Sequence, residues 1–466
     1  MHRVIAKYGL AAHLSFLAVA PLFLYPFCTA SATATAVLWL SLVAAIWCLL
    51  VPSVRSGEPL HVARRRVLSD LVRDPLFWTS LALAAFTGLR ALNGGVRMAY
   101  DAEKAVWCLE PPALPIFPGC MDGLGYLPFA VAVALVVVLV GARHSLGRSA
   151  RMAFLLMASA GAGLAAVVAL VAANQGNVVC RMLLVASPDA ASYFGFAQGV
   201  YFLCGLVVLT TAFERAWVRA MPLFALAVGG TAVGVFAFAP GAASVLFLAL
   251  ALVVLLAAFV YLFFTVGRTS QFRYVAVLGI ALALAALTVA FAMPAGLLQK
   301  KLDVFLGLAF VPDGFFDLRG TLSEIALRAW KTAPWTGTGI GSFPLDVRFQ
   351  ATPDDWAVLP RGVSTIANGG WCLLAERGLV GAVAAALPFG FIAWSFVRRA
   401  AAWATGGRLR VPHPGVLLAP LVLVAIAVTV PFDNSFLRPD ALLAAAAAAA
   451  VAPKCFPSIE KRSKHG

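Results

Sequence analysis

Runs of about 20 apolar residues, the length that carries a helix across a bilayer core, recur from one end of the chain to the other. Short segments rich in Lys and Arg separate them. Read as spans, the runs fall at 9–29, 33–52, 75–93, 124–142, 153–173, 193–213, 222–239, 242–264, 274–293, 378–397, 415–431 and 436–452. The last is an alanine-rich tract of low complexity. A helix satisfies its amides and carbonyls within the segment, as lipid demands, whereas a β-barrel needs strands of about ten residues alternating apolar and polar. No such alternation is present. The pattern predicts an all-α, polytopic transmembrane helical bundle of about twelve spans.

Charge sets the expected orientation. With the N-terminus inside, the inside segments take most of the 35 Lys and Arg: Arg64, Arg65, Arg66 and Arg73, then Arg143, Arg148 and Arg151, and further clusters to the C-terminus. The acidic residues are biased the other way. Both termini are therefore expected in the cytoplasm, in a bacterial inner membrane. This also disposes of nucleic acid as the reason for a net charge of +15, because the basic residues are interleaved with apolar runs. Composition agrees: 62% hydrophobic and 12% charged, against about 25% charged for soluble domains. The first apolar run leads into a second without a small-residue cleavage site, so no cleavable signal peptide is expected.

Two outside segments are long. Residues 94–123 hold Cys108 and Cys120 on the oxidising side, where a structural disulfide between them is an even wager. The other cysteines lie mostly in apolar runs and read as small core residues. Residues 294–377 form the one long hydrophilic stretch, expected as a periplasmic loop with short helices before the last three spans. This divides the chain into an N-terminal bundle 1–293, the loop 294–377, and the C-terminal spans and tail 378–466.

Within that loop the stretch Arg319 to Gly381 carries the informative pattern. An amphipathic helix over 321–331 breaks at Pro334. A turn with Gly337, Gly339 and Gly341 follows and ends in Phe343-Pro344. It is neither a P-loop, having no GK[ST], nor a dinucleotide fingerprint, having no βαβ unit around it. Its glycines permit close backbone approach and could present amides to an anion; on shape alone, a tight connection at the bilayer surface is the stronger reading.

The segment resembles the C-terminal module of the O-antigen ligase and O-antigen polymerase superfamily. The matching positions are Arg319, Pro334, Gly337-Gly339-Gly341-Phe343, and Asn368 with Leu374-x-Glu376-x-Gly378-x-x-Gly381. The arrangement of spans with one large late loop is also similar. The resemblance implies a membrane glycosyltransferase in lipopolysaccharide or other surface polysaccharide biosynthesis. Its substrates would be an undecaprenyl-diphosphate-linked glycan and a sugar or lipid A-type acceptor, with no cofactor and no metal. Arginine forks suit a diphosphate leaving group, and a base must take the proton of the acceptor hydroxyl.

The chain departs from the family pattern. The positions of two family histidines are Thr365 and Ala367, and the six histidines, His2, His13, His61, His144, His413 and His465, lie outside the expected outer loops. The place of a family S-R-G motif reads Ala239-Pro240-Gly241-Ala242, and an upstream polar element survives only as Phe194-Gly195-Phe196-Ala197-Gln198. These departures favour a polymerase-type member over a standard ligase. The alternatives are a non-catalytic member of the family and a secondary transporter, against which stands the lack of internal repeats and of acidic residues within the spans.

The candidate catalytic residues are Arg319, for the diphosphate, and Glu376, as base or as a helix-entry charge paired with Arg377 or another basic side chain. Candidate substrate contacts are Arg328, Arg348 and Arg361, the glycines Gly337, Gly339 and Gly341, and Asn368, which also suits a helix cap. Arg90 and Arg181 stand near outer span ends, where such side chains usually snorkel to the interface, but a groove for a lipid diphosphate needs basic residues at that depth, so both are also candidate substrate contacts. Asp433, Asn434 and Arg438 form a polar turn between the last two spans and are candidates to line the same cavity, Arg438 as a substrate contact.

Overall fold

The computed structural model describes residues 2–24, 26–50, 59–93, 97–101, 103, 106–110, 119, 126–185, 192–214, 220–239, 241–265, 268–294, 296, 298–299, 315–359, 368–405, 413–430, 443–445 and 447–448. For some of these, Arg319 among them, only the backbone is described. The protein is an all-α helical membrane protein. Among the described residues eight helices are long and apolar enough to cross a bilayer, and the helices over Tyr8–Leu24 and Pro414–Thr429 are apolar but shorter. The expected span at 436–452 lies largely outside the described residues.

In chain order, α1 (His2–Leu24) and α2 (Ala30–Leu50) form a hairpin of helices. A short helix α3 (Leu60–Val72) follows, in a stretch whose Arg64, Arg65 and Arg66 read as an inside loop. Then come α4 (Pro75–Ala91), α5 (Leu127–Val140) running into a π-turn at Gly141–Ser145, and α6 (Arg148–Asn174). A short α7 (Val178–Val185) leads to α8 (Ser192–Glu214), α9 (Met221–Phe238), α10 (Gly241–Thr265) and α11 (Arg268–Ala292). One departure from an all-helical chain lies between α4 and α5. There Arg97–Asp101 and Val106–Glu110 pair as an antiparallel hairpin with Ala99 opposite Cys108. Cys120 lies outside the described residues, and so does its pairing with Cys108.

The main core is built around α6, which packs against α1, α8 and α9. Small residues set the separation: a methyl group on Gly163 would sit 2.1 Å from the carbonyl oxygen of Leu226. Close backbone approach of this kind is how helices associate where lipid supplies no hydrophobic drive. Helices α8 and α9 approach as closely, since a methyl on Gly195 would fall 2.4 Å from the Cα of Ala239.

Helix α4 is tied by polar groups at both ends. At its start Asp74 accepts from the amide of Leu76, which caps the helix. The other carboxylate oxygen of Asp74 holds Arg143 at 2.8 Å and His144 at 2.9 Å, both presented by the π-turn. At its far end stands Arg90, taken up below.

The hydrophilic stretch folds as three helices, α12 (Phe315–Thr332), α13 (Phe343–Gln350) and α14 (Pro353–Val358), and the chain then enters α15 (Gly369–Thr405) and α16 (Leu418–Thr429). A second, smaller core joins Leu322, Ile325, Ala329, Phe343 and Val347 to Cys372 and Ala375 of α15. Thus the first turns of α15 belong with the preceding helices, while its later part packs on α4 through Leu83, Ala384 and Ala385.

Candidate functional site at a broken helix

Helix α15 is broken at Gly378, whose backbone stands at φ 64° and ψ −173°. A positive φ suits glycine, and crowding excludes any side chain as well: a methyl there would lie 2.4 Å from the carbonyl carbon and oxygen of Trp335. Gly337, at φ 72°, meets the same place from the other side, its would-be methyl 2.5 Å from the carbonyl carbon of Glu376. The glycine turn and the helix break are therefore pressed backbone to backbone.

The break frees amides and carbonyls that must find partners. The turn supplies them. The amides of Leu379 and Val380 donate to the carbonyls of Pro334 (2.9 Å) and Trp335 (3.1 Å). In return, the amides of Thr338 and Gly339 donate to the carbonyls of Ala375 (2.8 Å) and Glu376 (3.1 Å). The amide of Gly337 goes to Ala333. This corrects the reading of the turn as an amide cradle for an anion, because the donors of Gly337, Thr338 and Gly339 are already engaged by carbonyls.

Arg90 joins the same point from α4. It is fully buried, its guanidinium lies 4.8 Å from the centre of the Phe86 ring, and its Nη1 donates to the carbonyl of Glu376 at 2.8 Å. The expectation that Arg90 snorkels to the interface is thus corrected: it points inward because the break leaves a carbonyl there to be satisfied.

Around the turn lies a small acidic cluster. One carboxylate oxygen of Asp346 accepts from Thr338 Oγ1 at 2.7 Å and from Ser342 Oγ at 3.2 Å; the two hydroxyls are 2.8 Å apart. Asp346 is buried, and its second oxygen has no hydrogen-bond partner among the described residues. Burial pushes its carboxyl up to about 6, and the charge of half-buried Glu376 adds to the rise, while the Thr338 and Ser342 hydroxyls oppose it. A carboxyl held near neutrality beside a second carboxyl suits proton transfer.

Of the residues singled out in the sequence, the fold brings Glu376, Gly337, Gly339 and Arg90 together. Gly341, at φ 82°, closes the same turn. Asn368 is the cap of α15, its Oδ1 accepting from the amides of Gly370 (3.0 Å) and Trp371 (3.2 Å). Arg328 is tied to Asp355, which also completes a capping box with Thr352 at the start of α14; this pair braces α12 against α14. Arg348 is exposed on the last turn of α13. Arg181 is exposed too, and its Nε donates to the carbonyl of Ala173 at 3.0 Å, so it dresses the end of α6. The backbone of Arg319 is in α12, and its side chain is outside the described residues, as are Arg361, Asp433, Asn434 and Arg438.

Sequence reasoning missed Asp346, Thr338, Ser342 and Arg377 as members of this locus. Asp346 looks like one acid among many in a hydrophilic loop, and only its burial sets it apart. Glu376 was expected to pair with Arg377 or another basic side chain; Arg377 makes no pair with it and is buried, 7% exposed. No family model matches the chain, and no curated protein matches it.

Proposed function

We propose that the chain is a polymerase-type glycosyltransferase of the inner membrane, acting on a glycan carried by undecaprenyl diphosphate during surface polysaccharide assembly. In this reading it has about twelve spans, both termini in the cytoplasm, and the 294–377 stretch in the periplasm. The observation that carries the reading is the docking of the glycine turn onto the broken helix. Of the residues behind the family resemblance, Gly337, Gly339, Glu376 and Gly378 take part in that dock and Phe343 in the small core beneath it. The dock sets the carboxyls of Asp346 and Glu376 near one another, with Arg90 bonded to the Glu376 carbonyl.

The proposed chemistry is a single displacement. An acceptor sugar hydroxyl attacks the anomeric carbon, the bond from that carbon to the diphosphate oxygen breaks, and the lipid diphosphate leaves with the electron pair. Glu376 and Asp346 offer a base for the hydroxyl proton. With its carboxyl near 6, Asp346 is mostly ionised at neutral pH and can accept the hydroxyl proton. Arginines neutralise the leaving diphosphate, with Arg319 as the first candidate outside the dock.

The test is the surface-polysaccharide profile of the source organism after deletion of the gene, complemented with wild type, Arg319→Ala or Glu376→Gln. Polymerase action requires single repeat units in place of a ladder, restored by wild type and by neither variant. Polymer accumulating on the lipid carrier would instead make the protein a ligase. An unchanged profile on deletion would overturn glycan transfer and favour a non-catalytic or transport role.

A further inference from the structure

Helix α3 (Leu60–Val72) has no part in the scheme above, and its faces are divided by chemistry. Successive side chains leave a helix about 100° apart, so Ala63 and Val67 share one stripe, and that stripe is the buried one. Beside it, over an arc of about 120°, stand Leu60, Leu68, Leu71 and Val72; Leu71 is partly covered and the other three are exposed. Arg65, Arg66, Ser69 and Asp70 take the remaining arc, with Val62 the one apolar residue among them. At 13 residues the helix is about 20 Å long. That is too short to cross a hydrocarbon core of about 30 Å, so α3 stays on one side of the bilayer.

Two hydrogen bonds fix the level of the exposed apolar flank. Arg64, which projects from within it, donates through Nε to the carbonyl of Leu49 at 3.0 Å. Leu49 and Leu50 end α2, and both are exposed, as side chains that meet lipid are. At the other end of α3 the carbonyl of Val72 accepts from the indole Nε1 of Trp78 at 2.8 Å. Trp78 is itself exposed in the first turn of α4. Tryptophan favours the membrane interface, where its ring is in apolar surroundings and its N–H finds a polar partner. The exposed leucines of α3 thus continue the lipid-facing sides of α2 and α4.

Charge adds a second, independent feature. From 59 to 73 the chain holds four arginines, Arg64, Arg65, Arg66 and Arg73, against the single acid Asp70. The next acid, Asp74, is already held by Arg143 and His144. Arg65 is exposed and borders the apolar flank, and Arg73, the C-cap of α3, is exposed as well.

We propose that α3 is an interfacial helix that binds anionic phospholipids. Its flank of Leu60, Leu68 and Val72 lies at the acyl boundary, and its arginines, Arg65 and Arg73 foremost, take the headgroup phosphates. A helix of this kind gains both from apolar burial and from attraction to negative headgroups. The occupant is the bilayer's own lipid, because the flank is continuous with helix surfaces that lipid already covers.

The experiment uses the full chain, first in phosphatidylcholine nanodiscs followed by thermal melting. Leu68→Asp and Ser69→Asp change neighbouring exposed residues, one on the flank and one off it. Leu68→Asp is expected to melt several degrees below wild type, and Ser69→Asp close to it. Leu68→Ser is the milder variant should Leu68→Asp not fold, and the same order is expected of it. Equal melting on and off the flank would overturn the proposal, because the flank would then be open to water and to a soluble partner. The second measurement is phosphatidylglycerol retained by the chain in native mass spectrometry. Arg65→Gln and Arg73→Gln are each expected to weaken that binding about fivefold. Arg348→Gln, which removes an exposed arginine of the hydrophilic stretch, should retain as much as wild type. Retention unchanged in Arg65→Gln and Arg73→Gln would overturn the headgroup contact. So would an equal loss in Arg348→Gln, which would reduce the effect to net charge.

Discussion

Arg90 and Glu376 stand 286 positions apart in the chain and are joined by one hydrogen bond, from guanidinium Nη1 to main-chain oxygen, at 2.8 Å. The acceptor is a carbonyl that the break at Gly378 leaves without its helical amide. The bond therefore links the C-terminal end of α4 to the break in α15, within the contact that also buries Leu83 against Ala384 and Ala385.

Arg90→Ala should lower stability by roughly 2–4 kcal/mol, because it empties a buried volume and strips the Glu376 carbonyl of a charged donor. Arg181→Ala, which removes an exposed side chain from the end of α6, should cost under about 1 kcal/mol. Thermal melting of both variants in one detergent measures the difference. Equal losses would mean that the Arg90 bond contributes little.

Gly378→Ala should be among the most damaging single-methyl changes in the protein. It forces a left-handed φ on alanine and drives a methyl to 2.4 Å from the Trp335 carbonyl, for a loss of at least about 3 kcal/mol. Gly390→Ala, farther along α15, meets nothing within 4 Å and should be neutral or slightly stabilising. The ratio of folded yields of the two variants on size-exclusion chromatography checks this.

Asp346 should make the protein less stable as pH rises. Its carboxyl goes from 3.8 to about 6 on folding, so between those values the folded state binds more protons than the unfolded one. Stability then falls through that window and is level above it. The loss at neutral pH is up to roughly 3 kcal/mol. Asp346→Asn should recover part of this and flatten the profile between pH 4 and 6, as read from melting temperatures across that range; an unchanged slope would exclude Asp346 as its source.

Asp74 should behave in the opposite sense. Burial raises its carboxyl, but the His144 hydrogen bond, Arg143 and the Leu76 amide together outweigh that and hold it below 3.8. Its stabilisation is present above the unfolded value and is lost as pH falls through the lower, folded one. Asp74→Ala should cost roughly 1–3 kcal/mol at neutral pH, because it removes the helix cap and the carboxylate that holds half-buried Arg143 and His144. The deficit relative to wild type should shrink in acid.

Most of the helical frame is legible in the sequence because a lipid-crossing helix is written as an uninterrupted apolar run. The start of the expected span at 378 even coincides with the break, since apolar character resumes at Leu379. Helix α3 was not legible: its three consecutive arginines suggest a loop, and only the packing of Ala63 and Val67 beneath it holds it as a helix. The motif glycines were visible, but their task was not. Open space for a ligand and close contact with another backbone both call for glycine, and only the fold decides between them. Asp346 and Arg377 were illegible for a related reason. Both matter because they are buried, and burial in a charged stretch is imposed by distant segments that the local pattern does not mention.

The exchange at Gly378 also bears on how the chain is made. A ribosome delivers residues in order, and Arg90, Pro334, Trp335, Thr338 and Gly339 all come before the break they satisfy. When residues 375–380 emerge, each of their partners already exists, so no exposed amide or carbonyl has to wait in lipid for a later segment to be synthesised. Moving the glycine turn downstream of α15 by circular permutation would reverse that order. The permuted chain would hold the same contacts on paper but should insert α15 poorly during synthesis.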